Sequence, residues 1–212
     1  MQRYEKADIM EMESRENDRL YMQRCLQLAA CGRGRVSPNP MVGAVIVCDG
    51  RIIGEGYHRQ FGGPHAEVNA VNSVKESGLL SRSTLYVSLE PCSHYGKTPP
   101  CCRLIIEKKI PRVVVGCLDP FPSVSGRGIS MLREAGVEVV TGVLERECRA
   151  LNAVFMTAHE RQRPYVMLKW AQSRNGFIDR RRTAGEPACR FSDSQTSLFS
   201  HRLSLIHISE PT

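Results

Sequence analysis

The sequence lacks three features that would place it outside the reduced interior of a cell. No apolar run approaches the length of a membrane span. Residues 1–19 are polar and acidic, without the apolar stretch of a secretory signal. The nine cysteines are odd in number and lack the compact spacing of a disulfide framework. We therefore expect a cytoplasmic protein with free thiols and no membrane partner.

Length and charge limit the function less sharply. A chain of 212 residues with 42% hydrophobic residues has room for one ordinary domain and a fragment of another. The net charge of +7 raises the question of nucleic-acid binding. Residues 20–160, however, carry sixteen basic and twelve acidic side chains, which suits an anionic small substrate equally well. Charge alone therefore does not indicate nucleic acid.

Hydrophobic periodicity predicts an α/β fold. Two apolar runs flank Asp49-Gly50, the strongest short hairpin signal, and helices and strands alternate after them. The predicted helices are 19–32, 66–77, 102–109, 126–135 and 144–161, and the predicted strands are 41–48, 51–57, 83–89, 112–116 and 137–140. A hairpin followed by such alternation implies a mixed sheet between two helical layers, a three-layer α/β/α sandwich.

Two short segments carry metal-binding chemistry. His65 and Glu67 lie at the start of one predicted helix, and Cys92 and Cys101 lie between a strand and the next helix. One imidazole and two thiolates can hold one zinc ion tetrahedrally and leave the fourth position to water. Glu67 is too close to His65 to be the expected fourth ligand, and is placed to move protons. His-x-Glu followed by Pro-Cys and a second Cys is the signature of zinc-dependent nucleobase deaminases.

Other interpretations of these residues stay open at this point. A structural zinc site would require four protein ligands and no Glu at this spacing. Cys102 is adjacent to Cys101 and could take its place as a ligand. The other cysteines are interpreted as scattered small hydrophobic residues: Cys25, Cys31, Cys48, Cys117, Cys148 and Cys189.

A longer set of motifs identifies a resemblance. The shared segments are Asn39-Pro-Met-Val-Gly43, Gly56-Tyr-His58, His65-Ala-Glu67, Glu90-Pro-Cys-Ser-His-Tyr-Gly-Lys-Thr-Pro-Pro-Cys101, Asp119-Pro and Ser125-Gly-Arg-Gly128. Together they resemble the bifunctional riboflavin biosynthesis deaminase–reductase family, from about residue 18 to about residue 180. The eight-residue spacing between Cys92 and Cys101 is the most specific part, since cytidine and adenosine deaminases usually have two residues there.

The resemblance implies a fold of the cytidine-deaminase type and an activity. Members of this family deaminate 2,5-diamino-6-ribosylamino-4(3H)-pyrimidinone 5′-phosphate, and a C-terminal domain then reduces the product with NADPH. By position, His65, Cys92 and Cys101 become the zinc ligands and Glu67 the general acid/base. The residues implied to line the substrate site are Asn39, His58, His94, Lys97 and Asp119. The expected partners are this phosphorylated pyrimidine and further copies of the chain, and not nucleic acid.

The resemblance also implies a domain organisation. It divides the chain into a polar N-terminal extension (1–17), a deaminase domain (18–162), the start of a reductase domain (163–202) and an unrelated tail (203–212). Only 36 residues follow Gly176, too few for a dinucleotide-binding domain, so reductase activity is expected to be lost. The tail resembles translated adapter sequence, and a divergent natural tail is the alternative. Phe121 and Asn175 depart from the family, which commonly has Asn and Asp there.

Two other functions remain in view. One is a zinc-dependent deaminase acting on another nucleotide or on a base in tRNA, against which the long spacing between the cysteines argues. The other is a zinc-stabilised binding module without catalysis, against which Glu67 argues.

Overall fold

The computed structural model describes residues 2–94, 99–121 and 125–168, with side chains from residue 12 onward. The helices are α1 (Gln2–Ala30), α2 (Ala66–Ser73), α3 (Cys101–Glu107), α4 (Arg127–Glu134), α5 (Glu145–Leu151) and α6 (Ala153–Arg161). The strands are β1 (Gly43–Cys48), β2 (Arg51–Tyr57), β3 (Thr84–Leu89), β4 (Arg112–Cys117) and β5 (Glu138–Thr141). A short 3₁₀ helix, Ser77–Arg82, precedes β3.

The strands form one mixed sheet in the order β2-β1-β3-β4-β5. β1 pairs antiparallel with β2 and β3, whereas β3, β4 and β5 run parallel. The β1–β2 turn has positive φ at both Asp49 (51°) and Gly50 (72°). Such a turn matches the right-handed twist of paired strands, so this hairpin follows directly from the sequence.

Alternate residues of the central strands bury their side chains in two different cores. In β1, Ala44 and Ile46 pack beneath α2, α3 and α4, whereas Val45 and Val47 pack beneath α1, α5 and α6. Every residue of β1 is buried. The observed architecture is therefore the predicted three-layer α/β/α sandwich with a mixed sheet.

Several predicted boundaries were wrong. The first helix begins at Gln2 rather than at residue 19. The second ends at Ser73, because Val74 is extended and the chain then forms a 3₁₀ turn. The long helix predicted over 144–161 is two helices that meet at Asn152. The Asn152 amide donates to Met41 O and accepts from Met41 N, both at 2.8 Å. This tertiary pairing holds Asn152 outside regular helical geometry.

The chain divides into two compact units, 1–162 and 163–212. Only residues 163–168 of the second unit are described, so the predicted reductase segment lies almost entirely outside the described residues, as does the tail from 203. None of the helices in the described ranges is both long and apolar enough to span a membrane.

Candidate metal centre and active site

Three connections bring the predicted metal ligands together at one edge of the sheet. His65 immediately precedes α2, Cys92 follows β3, and Cys101 is the first residue of α3. Residues of α2 and α3 pack into the same core cluster as Ala44 and Ile46 of β1. The carboxyl ends of parallel strands commonly form ligand sites in such folds, because helices begin there.

The geometry of these side chains fits a zinc ion. The Nδ1 atom of His65 lies 3.3 Å from Cys101 Sγ and 3.6 Å from Cys92 Sγ. All three candidate ligand atoms lie within 4.8 Å of one another. Ordinary Zn–N and Zn–S bonds at a tetrahedral angle place N and S roughly 3.6 Å apart. The chain thus presents a nitrogen and two sulfurs at zinc-binding separations.

Hydrogen bonds between these groups shift their pKa values and favour a thiolate at Cys92. The Cys101 thiol donates to Cys92 and its backbone N–H donates to Cys92 Sγ at 3.3 Å, which lowers the pKa of Cys92 to about 4. The Cys92 thiolate in turn raises the pKa of His65 to about 9. The same sharing of a proton raises the pKa of Cys101. Zinc would displace the protons on His65 and Cys101, because metal ligands bind in their deprotonated forms.

The neighbouring Cys102 points elsewhere. Its Sγ lies 3.3 Å from Pro91 O and 3.5 Å from Gly128 O, in the core beneath α4. Burial raises the pKa of this thiol to about 12. Successive residues of a helix project about a hundred degrees apart, so only one of the two adjacent cysteines can face His65. The structure places Cys101 in that position.

Glu67 lies in the first turn of α2 and is only 3% exposed. Burial raises the pKa of its carboxyl group to about 7. Its carboxylate interacts with the Cys101 thiol, so it lies beside the cluster. A buried carboxyl group that titrates near neutrality can both accept and release a proton, as acid–base catalysis requires.

Asn39 and His58 form a pair behind His65. The Asn39 amide donates to His58 Nε2 at 3.2 Å, and His58 Nδ1 donates to Pro64 O at 3.0 Å. Burial lowers the pKa of His58, and its ring meets the His65 ring edge to face, with centroids 5.7 Å apart. Both ring nitrogens of His58 are therefore occupied within the protein. The Asn39 amide uses its NH₂ group in this pair, and the substrate contacts of Asn39 and His58 stay predictions.

His94 and Asp119 are two further predicted substrate residues that the structure describes, and together with Asn39 they are called the rim. His94 is exposed two residues after Cys92, and Asp119 is half-buried in the connection that follows β4. Asp119 Oδ1 accepts from Phe121 N at 2.8 Å, while burial raises the pKa of its carboxyl group and His94 and His159 act against that rise. The predicted contact Lys97 lies outside the described residues.

Three polar residues near the site were not predicted from the sequence. Asn69 donates to Tyr57 O at 2.8 Å and to Pro64 O at 3.3 Å, which fixes the segment before His65. Glu90 is buried directly before Pro91-Cys92, and Asn152 holds the backbone two residues after Asn39. Asn69 could have been found from the sequence, since it lies one helical turn after His65. Asn152 could not have been found in this way, because its partner Met41 is 111 residues away in the sequence.

Comparison with known proteins agrees with this geometry. The family model of the cytidine and deoxycytidylate deaminase zinc-binding region matches residues 15–117, which include the whole cluster. A riboflavin biosynthesis protein RibD from Actinobacillus pleuropneumoniae is 52% identical over 158 residues, which are 74% of this chain and 42% of that protein. The chain is a homologue of the RibD deaminase domain. The predicted family and fold type are thereby confirmed.

Two solved structures extend the comparison. The diaminohydroxyphosphoribosylaminopyrimidine deaminase/5-amino-6-(5-phosphoribosylamino)uracil reductase of Thermotoga maritima is 50% identical, with a TM-score of 0.74, over 78% of this chain and 48% of that one. The Aspergillus oryzae Rib2 deaminase in complex with DARIPP is 28% identical, with a TM-score of 0.54, over 68% of this chain and 94% of that one. The chain spans less than half the length of the curated RibD relatives it matches.

Proposed function

We propose that this chain catalyses the zinc-dependent hydrolytic deamination of 2,5-diamino-6-ribosylamino-4(3H)-pyrimidinone 5′-phosphate in riboflavin biosynthesis. The observation that carries the proposal is the His65, Cys92 and Cys101 cluster beside a buried Glu67 whose pKa is about 7. Two relatives support the choice of substrate: the RibD riboflavin biosynthesis proteins and the Thermotoga diaminohydroxyphosphoribosylaminopyrimidine deaminase/5-amino-6-(5-phosphoribosylamino)uracil reductase.

Metal chemistry and proton transfer are divided between these residues. His65 Nδ1 and the sulfurs of Cys92 and Cys101 would hold zinc, which when bound acidifies water and so supplies a hydrolytic nucleophile near neutral pH. Glu67 accepts one proton from the attacking water on its carboxylate and delivers it to the ring nitrogen of the pyrimidine. It then accepts a second proton, from the hydroxyl group added to the ring carbon, and passes this proton to the departing amino group as the carbonyl forms. Its burial keeps bulk water away from this transfer.

The rim residues are assigned to the substrate's polar groups. The amide oxygen of Asn39 can accept from an amino or hydroxyl group, and His94 offers a ring nitrogen to a phosphate or ribose. The half-buried Asp119 can accept from ribose hydroxyls through the oxygen that Phe121 does not occupy. We place Lys97 at the phosphate, where a flexible ammonium group acts as a point charge. A single nucleotide satisfies these contacts without a nucleic-acid backbone.

The Rib2 deaminase complex supports a phosphoribosyl pyrimidine as the ligand, because that protein was crystallised with DARIPP and shares the fold. We place the enzyme in the cytoplasm, since the cysteines among the described residues are all free, as thiolate metal ligands require. Assembly into homo-oligomers is part of the same proposal and is tested by the molecular mass in solution.

A substrate panel tests the assignment. Ammonia release is measured with the zinc-loaded protein on the diaminopyrimidine ribosyl phosphate, cytidine, deoxycytidylate and tRNA, with Glu67→Gln as the inactive control. The diaminopyrimidine should be the best substrate by kcat/KM. Faster turnover of cytidine, deoxycytidylate or tRNA would replace the riboflavin assignment with another deaminase. Bound zinc with no turnover of any substrate would favour a non-catalytic module.

A further inference from the structure

The carboxylate of Glu90 is buried between the metal centre and the Asp119 rim. Glu90 is 4% exposed and directly precedes Pro91-Cys92. Its Oε2 accepts from Gly126 N at 3.0 Å and from Asp119 N at 3.3 Å, and its Oε1 accepts from Gly128 N at 2.9 Å. Three backbone N–H groups therefore donate to the two oxygens of this side chain.

These three donors come from both ends of the connection between β4 and α4. Asp119 lies just after β4, and Gly126 and Gly128 belong to the start of α4. Glu90 itself is anchored to the sheet, because its backbone N–H donates to Cys117 O at 2.9 Å. One side chain therefore ties the start and the end of this connection to the segment that carries Cys92.

Close packing fixes the distance between the first turn of α4 and the Glu90–Cys92 segment. A Cβ added at Gly128 would lie 2.2 Å from Pro91 O, 3.1 Å from Cys102 Sγ and 3.2 Å from Glu90 Oε1. The first turn of α4 thus touches the peptide between Glu90 and Cys92, with no room for a methyl group. A shift of α4 would therefore move either Pro91, next to a metal ligand, or the Asp119 connection.

We propose that Glu90 is a positioning residue for substrate binding, which holds Asp119 beside the segment that carries Cys92. In this proposal Glu90 acts through its hydrogen bond from the Asp119 backbone N–H, and not by contact with substrate or metal. This inference rests on the proposed function, since Asp119 is assigned there to the ribosyl phosphate part of the substrate. Binding energy that is common to the ground and transition states appears in KM rather than in kcat.

The central variant is Glu90→Gln, which keeps the side-chain size but replaces one acceptor oxygen with an NH₂ group that faces N–H donors. We expect zinc content to stay near one per chain, KM to rise about 10-fold, and kcat to change by less than about threefold. The matched control is Glu55→Gln. Glu55 lies on the outer strand β2, and its carboxylate forms an ion pair with Arg24 of α1. This variant should leave KM unchanged, and an equal KM change in both variants would contradict the positioning role.

A double-mutant cycle tests whether the effect passes through Asp119. In an Asp119→Ala background, Glu90→Gln should raise KM by less than about twofold further, because residues that act through one contact are not additive. Full additivity would overturn the proposal.

Gly128→Ala offers a second test, since it displaces α4 without altering the carboxylate. It should also raise KM with zinc retained, and an unchanged KM would count against the mechanism.

Amide hydrogen exchange separates this inference from the proposed function. The amides of Asp119, Gly126 and Gly128 should exchange at least about 10-fold faster in Glu90→Gln than in the parent, with or without substrate. If the parent protein deaminates none of the tested compounds while exchange accelerates, the proposed function fails but the tether stands. Unchanged exchange at all three amides would refute the tether itself.

Discussion

The floor and the rim of the site are built in different ways. The floor, which comprises His65, Glu67, Cys92 and Cys101, lies within the first turns of α2 and α3 and the turn after β3. The rim, which comprises Asn39, His94 and Asp119, lies on irregular segments that distant polar side chains hold in place. Asn152 holds the Asn39 segment, and Glu90 holds the Asp119 segment. The floor depends on local backbone geometry, whereas the rim depends on tertiary hydrogen bonds.

This difference has a consequence for chemistry and specificity. Regular elements place reacting groups within small tolerances, which suits metal ligation and proton transfer. Irregular segments can vary without disturbing the core, which suits substrate selection. Phe121, two residues after Asp119, packs edge to face against His159 with ring centroids 5.4 Å apart.

Loss of the floor ligands should have the largest effect. Cys92→Ser and Cys101→Ser should each lose bound zinc and all deamination, because two remaining ligands hold zinc poorly. Cys102→Ser is the matched control and should retain about one zinc per chain, since its sulfur faces Pro91 O and Gly128 O. Elemental analysis of the purified proteins measures the result. Equal zinc loss from Cys101→Ser and Cys102→Ser would show that the third ligand is wrongly assigned.

Glu67→Gln should impair catalysis without impairing zinc binding. We expect zinc and the folded structure to be retained while kcat falls by about 10²- to 10⁴-fold, the usual contribution of a general acid–base group. Single-turnover ammonia release and zinc content are measured together. A zinc-free variant would instead make Glu67 a ligand.

The affinity for zinc should depend steeply on pH. In the metal-free protein the pKa of His65 is about 9 and that of Cys101 is raised, whereas the pKa of Cys92 is about 4. At pH 7 two protons must then leave, so affinity should weaken by about 100-fold when the pH falls from 8 to 7. Calorimetry of zinc binding in two buffers with different ionisation enthalpies counts the protons. An affinity that does not change with pH would contradict this protonation pattern.

Asn152→Leu should test the rim with the smallest effect. It removes both hydrogen bonds to Met41 and leaves two part-buried backbone groups unpaired, which should lower the free energy of unfolding by about 1–3 kcal/mol. KM should rise several-fold because Asn39 is no longer held, while zinc content stays the same. Asn152→Asp keeps the acceptor for Met41 N and should lose less stability in denaturant unfolding. Equal losses in both variants would argue against the paired hydrogen bonds.

Local sequence patterns determined the floor. His-x-Glu at a helix start, and Cys92 and Cys101 between a strand and a helix, already specified a zinc site, because the periods of helices and strands fix where their ends fall. The hairpin turn, the strand faces and the mixed sheet also follow from local patterns. The predicted family agrees with the comparisons, which match most of the described chain.

The features that depend on polar contacts between distant residues were set only by the tertiary structure. It turned Cys102 into the core, occupied both nitrogens of His58, divided the last long helix at Asn152 and gave Glu90 its three backbone donors. Each of these outcomes depends on which backbone groups the folded chain brings against a buried side chain. A buried polar atom must find a partner, and its identity is set by packing rather than by neighbouring residues. The sequence alone therefore specified the reacting groups, and the folded chain selected the groups that orient them.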